Sequence, residues 1–325
     1  MITDSPSRSL QFATVDVFTD RRFVGNPLAI VELPKGFVLT QSEKQSIARE
    51  FNFSETVFLH EENSSPDGRR IDIFTITEEL NFAGHPTIGT LCHIGSQLGV
   101  AENSLALPIK LLAKAGTINA RYDAGTRLAE ADIPHRVNIH AEMVGLAHVI
   151  KAQPQIESVI SSPAWSHKES EYVEFPVVSI VKGMTFILVR LPSVSDCLEA
   201  LRFGNVPIAA PKLDDGWTPS FIAPYFYVIL TEAEDGTIKI RSRMIDPELC
   251  EDPATGSAAC TLATYLALQA GGVGSTYRYH IEQGVEMGRP SLIRVQVALD
   301  SSGKAVKQVS LSGSSVPVTR GTLNV

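Results

Sequence analysis

Glu251-Asp252-Pro253-Ala254-Thr255-Gly256-Ser257-Ala258 is the stretch whose reading decides the fold. Its small and polar residues make a turn, and the Ala- and Leu-rich run 258–269 that follows reads as a helix ended by Gly271-Gly272. A shorter counterpart, Phe82-Ala83-Gly84-His85-Pro86-Thr87, stands in the other half of the chain. Each segment follows a pair of strand-like runs, 55–59 with 71–77 in the first half and 224–231 with 237–243 in the second. The order strand, turn, strand, loop, helix therefore occurs twice, although residue identity between the halves is thin. Two helix starts brought face to face make one anion-binding cleft, so a catalytic site between two related lobes is the leading expectation.

Outward from these segments, 14–17 and 29–31 read as short strands around the tight Gly25-Asn26-Pro27 turn. Thr40 opens a helix: Glu43 completes a capping box, Ile47, Ala48 and Phe51 form an apolar stripe, and the end falls near Asn52. Proline suits the first helical position, so the next helix is expected to begin at Pro86, with Ile88, Leu91 and Leu98 near one face and Gly99 as its stop. Further strands are read at 105–112, 117–122, 127–133, 179–181, 185–191, 277–282, 292–297 and 306–311, with a short helix over 194–202. The lobe junction is expected between Gly125 and Pro134, giving an N-terminal lobe 1–128 and a C-terminal lobe 129–325 whose last strand can pack back on the first.

Length supports two lobes, because 325 residues exceed the usual single core. With 44% hydrophobic and 20% charged residues the composition is that of a folded globular protein. A net charge of -8 is the wrong sign for tracking phosphate backbones, so nucleic acid is not an expected partner. The polar start 1–10 does not resemble a signal peptide, and the longest apolar run, 221–230, is interrupted by Pro224 and too short to span a bilayer. A cytoplasmic location is expected, with no membrane partner. Cys92, Cys197, Cys250 and Cys260 are too few for a disulfide scaffold and form no CxxC pair, so they read as mostly buried thiols.

The side chains able to carry chemistry are few. Glu55 heads a strand and shares side-chain parity with Val57 and Leu59, so its carboxyl points to an otherwise apolar face. Desolvation there would raise its pKa toward neutrality, as a proton shuttle requires; the plain alternative is a surface glutamate at a strand end. His85 at a helix start could touch a ligand held by the first amides, or simply pack or cap there. Asp252, Thr255 and Ser257 offer oxygens in a turn whose small residues admit a ligand, while helix capping accounts for Asp252 or Thr255 alone. No Gly-Lys-Ser/Thr, dinucleotide fingerprint, HExxH or paired Cys/His spacing occurs, so neither a cofactor nor a metal is implied.

Taken together, Val15-Asp16-Val17-Phe18, Gly25-Asn26-Pro27-Leu28-Ala29, Ser54-Glu55-Thr56-Val57-Phe58, Gly84-His85-Pro86-Thr87, the Glu251–Ala258 segment and Gln283-Gly284-Val285-Glu286-Met287-Gly288-Arg289-Pro290-Ser291 resemble the phenazine-biosynthesis PhzF-like isomerase family. The set runs nearly end to end in the family's order, and the Glu-Asp-Pro-Ala-Thr-Gly-Ser segment is its most specific part. The resemblance implies an α+β, diaminopimelate-epimerase-like fold: two pseudo-symmetric lobes, each a mixed, rolled β-sheet around a central helix, with the site between them. It implies Glu55 as catalytic acid/base, with His85, Asp252 and Ser257 lining the site and the amides of Gly84 and Gly256 cradling a carboxylate. Related epimerases and racemases carry one thiol per lobe at the helix-start motifs. The aligned positions here are Ala83 and Pro253, so two-thiol racemisation is disfavoured.

The expected function is a cofactor-independent isomerase in which Glu55 moves a proton between carbons of a small carboxylate, acting as a homodimer by family likeness. Two other classes remain open: a serine hydrolase using Ser257, His85 and Asp252, without the Gly-x-Ser-x-Gly elbow, and a non-catalytic binder of small acids.

Overall fold

The computed structural model describes residues 8–61, 68–98, 106–161, 173–204, 206–246 and 250–325. The chain divides into two compact units, Met1–Asp132 with Ser312–Val325, and Ile133–Leu311.

In the first unit, β1 (Ser9–Val17) and β2 (Asn26–Leu33) are antiparallel, with Val17 opposite Asn26. Helix α1 (Gln41–Phe51) crosses over to β3 (Thr56–His60), which pairs in parallel with β2. β3 turns back antiparallel to β4 (Arg69–Phe74), and β4 pairs antiparallel with β5 (Glu79–Leu80). After α2 (Gly84–Gln97), β6 (Leu107–Ala113) joins β4 in parallel, and β7 (Gly116–Asp123) and β8 (Leu128–Asp132) continue antiparallel. The C-terminal strand Ser315–Asn324 lies antiparallel along β1.

The second unit begins with β9 (Asn138–Ile139), β10 (Val144–Gly145), helices α3 (Leu146–Ala152) and α4 (Glu157–Ile160), and β11 (Glu174–Phe175). Then the pairing series of the first unit recurs. β12 (Val177–Val181) is antiparallel to β13 (Met184–Arg190), and β13 is parallel to β14 (Phe221–Glu232). β14 is antiparallel to β15 (Thr237–Asp246), and β15 is antiparallel to β16 (Cys250–Asp252). After α5 (Gly256–Ala270), β17 (Thr276–Gln283) joins β15 in parallel and β18 (Ser291–Leu299) runs back antiparallel, with β19 (Val306–Gly313) following. Within each unit the strands therefore pair both parallel and antiparallel, and the class is α+β.

Local chemistry accounts for these elements. α1 has the reciprocal cap read from sequence: the Thr40 side chain accepts from the Glu43 amide, the Glu43 carboxylate accepts from the Thr40 amide, and Asn52 closes the helix at φ 53°. Apart from His85 and His93, the residues of α2 from Gly84 to Gly95 are apolar or small, and each of the twelve is buried, the pattern of a helix enclosed rather than laid on a surface. It packs on β1, β2, β3, β7, β8 and the C-terminal strand. Two glycines let these strands approach: a Cβ on Gly89 would lie 2.6 Å from Leu28 Cδ2 and 2.8 Å from Val17 Cγ2, and one on Gly95 would collide with the Tyr122 ring. α5 buries mostly Ala, Thr and Leu against β12, β13, β17 and β18.

Several expectations are corrected. α2 starts at Gly84, not Pro86: Ala83 is the extended N-cap (φ −149°), and a proline without an N–H is tolerated anywhere in the first turn. Leu98 is 47% exposed and is not part of the buried face. Gly99 and Leu105 lie outside the described residues. The first two strands are longer than read, because exposed polar residues at Ser9 and Gln11 and the half-buried Glu32 interrupt the apolar runs that mark a strand. The 194–202 helix is a single π-helical stretch, Val194–Leu198. Cys92, Cys197 and Cys260 are buried free thiols, while the Cys250 side chain lies outside the described part. Among the described residues no helix is long and apolar enough to cross a membrane.

Candidate active site

Glu55 immediately precedes β3. Phe58 on this strand packs into the core beneath α1, so Val57 and Leu59, and Glu55 with them, belong to the opposite face, toward α2. The Glu55 side chain keeps 16% exposure, yet its Oε2 atom is buried and has no hydrogen-bond partner. Burial pushes this carboxyl up to about 7, against a weaker opposing hydrogen bond from the Ser54 side chain. A carboxyl balanced between its two forms near neutral pH can both take and return a proton.

His85, the second residue of α2, sets its Nε2 3.6 Å from Glu55 Oε2, a contact rather than a hydrogen bond. Its Nδ1 lies 3.4 Å from Asn26 Nδ2. With the Asn26 amide donating to Nδ1, a neutral imidazole carries its proton on Nε2, the nitrogen that faces Glu55. Asn26 was read from sequence only as part of a turn. Its polar role could have been sought in the fact that an asparagine at the first position of a buried strand needs partners.

In the second unit, Asp252 ends β16 and its Oδ2 accepts from Thr255 Oγ1 at 2.7 Å. The turn is held from below by a residue that sequence reasoning quoted but gave no role. Gln283 Nε2 donates to Asp252 O (2.8 Å) and Thr255 Oγ1 (2.9 Å), and its Oε1 accepts from Thr255 N–H (3.1 Å) and Tyr225 O–H (3.0 Å). Tyr225 O–H is also 2.8 Å from Ser242 Oγ. Gly284, at φ 74°, lies so close to the turn that a Cβ would sit 2.6 Å from Pro253 O. Gly256 and Ser257 are the first residues of α5; Gly256 is buried and Ser257 partly so.

Neither helix is capped by a side chain at its N-cap, Ala83 or Thr255. First-turn amides with no side-chain cap, at the positive end of a helix dipole, suit a carboxylate. The structure therefore brings Glu55, Gly84 and His85 together in the first unit, and Asp252, Gly256 and Ser257 together in the second. Within the first unit the His85 nitrogens lie beside Asn26 and Glu55, and within the second the Asp252 carboxylate accepts from Thr255. Cys92 and Cys197 are each pushed up to about 11 by burial, which suits packing rather than proton transfer. Among the described residues no group of three His, Cys, Asp or Glu could hold a metal ion.

A family model described as phenazine biosynthesis-like protein matches residues 15–321. An uncharacterized isomerase of Mesorhizobium japonicum is 30% identical over 313 residues, covering 95% of this chain and 96% of its own. Trans-2,3-dihydro-3-hydroxyanthranilate isomerase of Pseudomonas fluorescens is 29% identical over 322 residues, covering 96% and 98%. Among solved structures, the Bacillus anthracis phenazine biosynthesis protein of the PhzF family superposes with a TM-score of 0.70 at 20% identity, covering 98% of this chain and 100% of that one. A hydroxyproline epimerase from Agrobacterium vitis superposes at 0.57 with 10% identity, covering 98% and 93%.

Proposed function

The chain belongs to the phenazine biosynthesis-like protein family, and from that premise we propose that it is a cofactor-independent isomerase in which Glu55 moves a proton between two carbons of a small carboxylate. The observation that carries this reading is the Glu55 carboxyl itself: raised to about 7 by burial, with one oxygen lacking any partner, beside the ring of His85. As carboxylate, Glu55 takes a proton from a carbon next to an unsaturated system. The electron pair left behind delocalises into that system, and Glu55 returns the proton to a different carbon. The Nε2–H of His85 holds a polar substituent and steadies charge on the carboxylate.

On this reading the two units are pseudo-symmetric lobes, each a sheet rolled around its central helix, α2 or α5, and the substrate occupies the cleft between them. The amides of Gly84 and Gly256 hold its carboxylate, and Asp252 and Ser257 take its other polar groups. The repeated pairing order supports this, since it gives each unit one uncapped helix start. Relatives named trans-2,3-dihydro-3-hydroxyanthranilate isomerase make that cyclic amino carboxylate the first substrate to try. The family reading also proposes a homodimer acting in the cytoplasm, and a light-scattering mass checks the dimer.

The test is deuterium uptake from D₂O into small unsaturated carboxylates, starting with that compound. General acid/base work is worth about 10²–10⁴-fold in rate, so Glu55→Gln should lose exchange on that scale. A loss below about tenfold removes Glu55 from the role.

A further inference from the structure

We propose that Gln283 and Tyr225 are positioning residues of the site: acting through Thr255, they fix the Asp252 carboxylate as a hydrogen-bond acceptor toward an N–H or O–H group of the substrate. The assignment rests on the isomerase reading above and deepens it. Strand register puts its parts on one face of the second unit's sheet. Ser242 on β15 lies opposite Gln283 on β17, and on its other side opposite Tyr227 on β14, two residues from Tyr225. Tyr225, Ser242 and Gln283 are fully buried and Thr255 is nearly so, whereas Asp252 is partly exposed. Polar side chains taken this far from water cost free energy that an apolar interior would not. What they deliver is the orientation of one carboxylate.

The direction of each bond follows from backbone groups that cannot change role. Gln283 Oε1 meets the Thr255 N–H, which can only donate, and Nε2 meets the Asp252 carbonyl, which can only accept, so the amide has one orientation. Nε2 also lies 2.9 Å from Thr255 Oγ1; that hydroxyl therefore accepts, and its own proton goes to Asp252 Oδ2 at 2.7 Å. The Ala254 amide lies 3.4 Å from Oδ1, so both carboxylate oxygens meet donors from their own turn. On the far side Oε1 takes the Tyr225 proton, which leaves Ser242 Oγ, 2.8 Å away, to donate to Tyr225; its competing acceptor, Glu282 O, is further off at 3.4 Å. All the bonds run one way, from Ser242 to Asp252, and each polarises the next. Gly284, the residue after Gln283, is itself shaped to the same turn, since a Cβ there would strike Pro253 O. The work is thus divided: Glu55 carries the proton, and Asp252 is kept as an acceptor.

The experiment measures kcat/KM for deuterium exchange from D₂O, on the small unsaturated carboxylates named above, in the full native chain and in Thr255→Val, Thr255→Ser, Gln283→Met, Tyr225→Phe, the double variant Thr255→Val/Gln283→Met, and Glu55→Gln. Thr255→Val and Gln283→Met keep shape but break the series, and each should lose about 10–100-fold, the worth of one hydrogen bond to a charged group. Thr255→Ser restores the hydroxyl and should stay within about threefold of native. Tyr225→Phe should lose less than Gln283→Met, because the Thr255 N–H still fixes the amide. Groups acting in series do not add, so the double variant should fall within about threefold of the poorer single one, whereas independent packing losses would multiply. Thr255→Val at the native rate, Thr255→Ser as poor as Thr255→Val, or multiplied losses in the double variant each overturn the proposal. Should circular dichroism show that Gln283→Met does not fold, the Thr255 pair decides. Glu55→Gln separates the two readings: exchange lost there but unchanged in Thr255→Val removes the positioning role alone, and exchange retained there removes Glu55 while the Thr255 pair still judges the turn. No exchange by the native chain on any of the compounds overturns both.

Discussion

Replacing Glu55 by glutamine should make the protein more stable at alkaline pH and leave its stability unchanged in acid. Burial moves this carboxyl from an ordinary 4.5 to about 7. At about 1.4 kcal/mol per pH unit, ionising it in the folded chain costs on the order of 3 kcal/mol more than in the unfolded chain. Between these two values the folded state holds a proton that the unfolded state has released. The stabilising contribution is therefore complete below pH 4.5 and is lost as pH rises through about 7. Glutamine keeps the shape and never ionises, so its advantage over the native residue should grow from near zero at pH 4.5 to a plateau of about 3 kcal/mol above pH 8. Urea unfolding followed by circular dichroism at closely spaced pH values reads this difference directly. A gap between the two proteins that does not change with pH would show that the carboxyl is well solvated, and would remove the physical basis for its use as a proton carrier.

Two further outcomes test the scaffold. Gly284→Ala should destabilise the fold by about 2 kcal/mol or more and weaken carboxylate binding, because φ 74° disfavours a side chain and the new methyl would meet Pro253 O and Arg289 O; equilibrium unfolding and an NMR titration with a small carboxylate check both. Asp72 is buried beside Lys44 and His60, and although burial alone would raise its carboxyl, the hydrogen bonds from His60 and Lys44 prevail and hold it well below the usual range. Its contribution is present above the ordinary carboxylate pKa and is lost as pH falls through the lower folded value. Asp72→Asn should cost about 3–5 kcal/mol at pH 7, because Lys44 keeps a buried charge without its counter-ion, and this penalty should shrink in acid unfolding series.

Much of this was legible before any coordinates. The capping residues Thr40 and Glu43 fix α1, and the parity of Glu55 with Val57 and Leu59 indicates which way its carboxyl turns. What stayed hidden is the support under the second turn. Gln283 lies far along the chain from Asp252, and no periodicity or motif spacing signals that one amide will satisfy four polar groups at once. The start of α2 was misplaced for a related reason. Proline marks where a helix can begin, but the backbone enters helical geometry as soon as Gly84 and His85 are free of the extended strand-like path at Ala83.

The glycines of α2 have a bearing on aim. Gly89 and Gly95 act as notches that admit Leu28, Val17 and the Tyr122 ring, so the helix can neither roll nor slide without striking them. His85 rides at the tip of that rod, and at 1.5 Å per residue Gly95 lies about 15 Å further along the axis. A methyl group added at the far notch would swing the imidazole off its bearing on Glu55 without touching either residue. The precision of the tip is thus stored deep in the hydrophobic interior, at positions that a survey of the site alone would pass over.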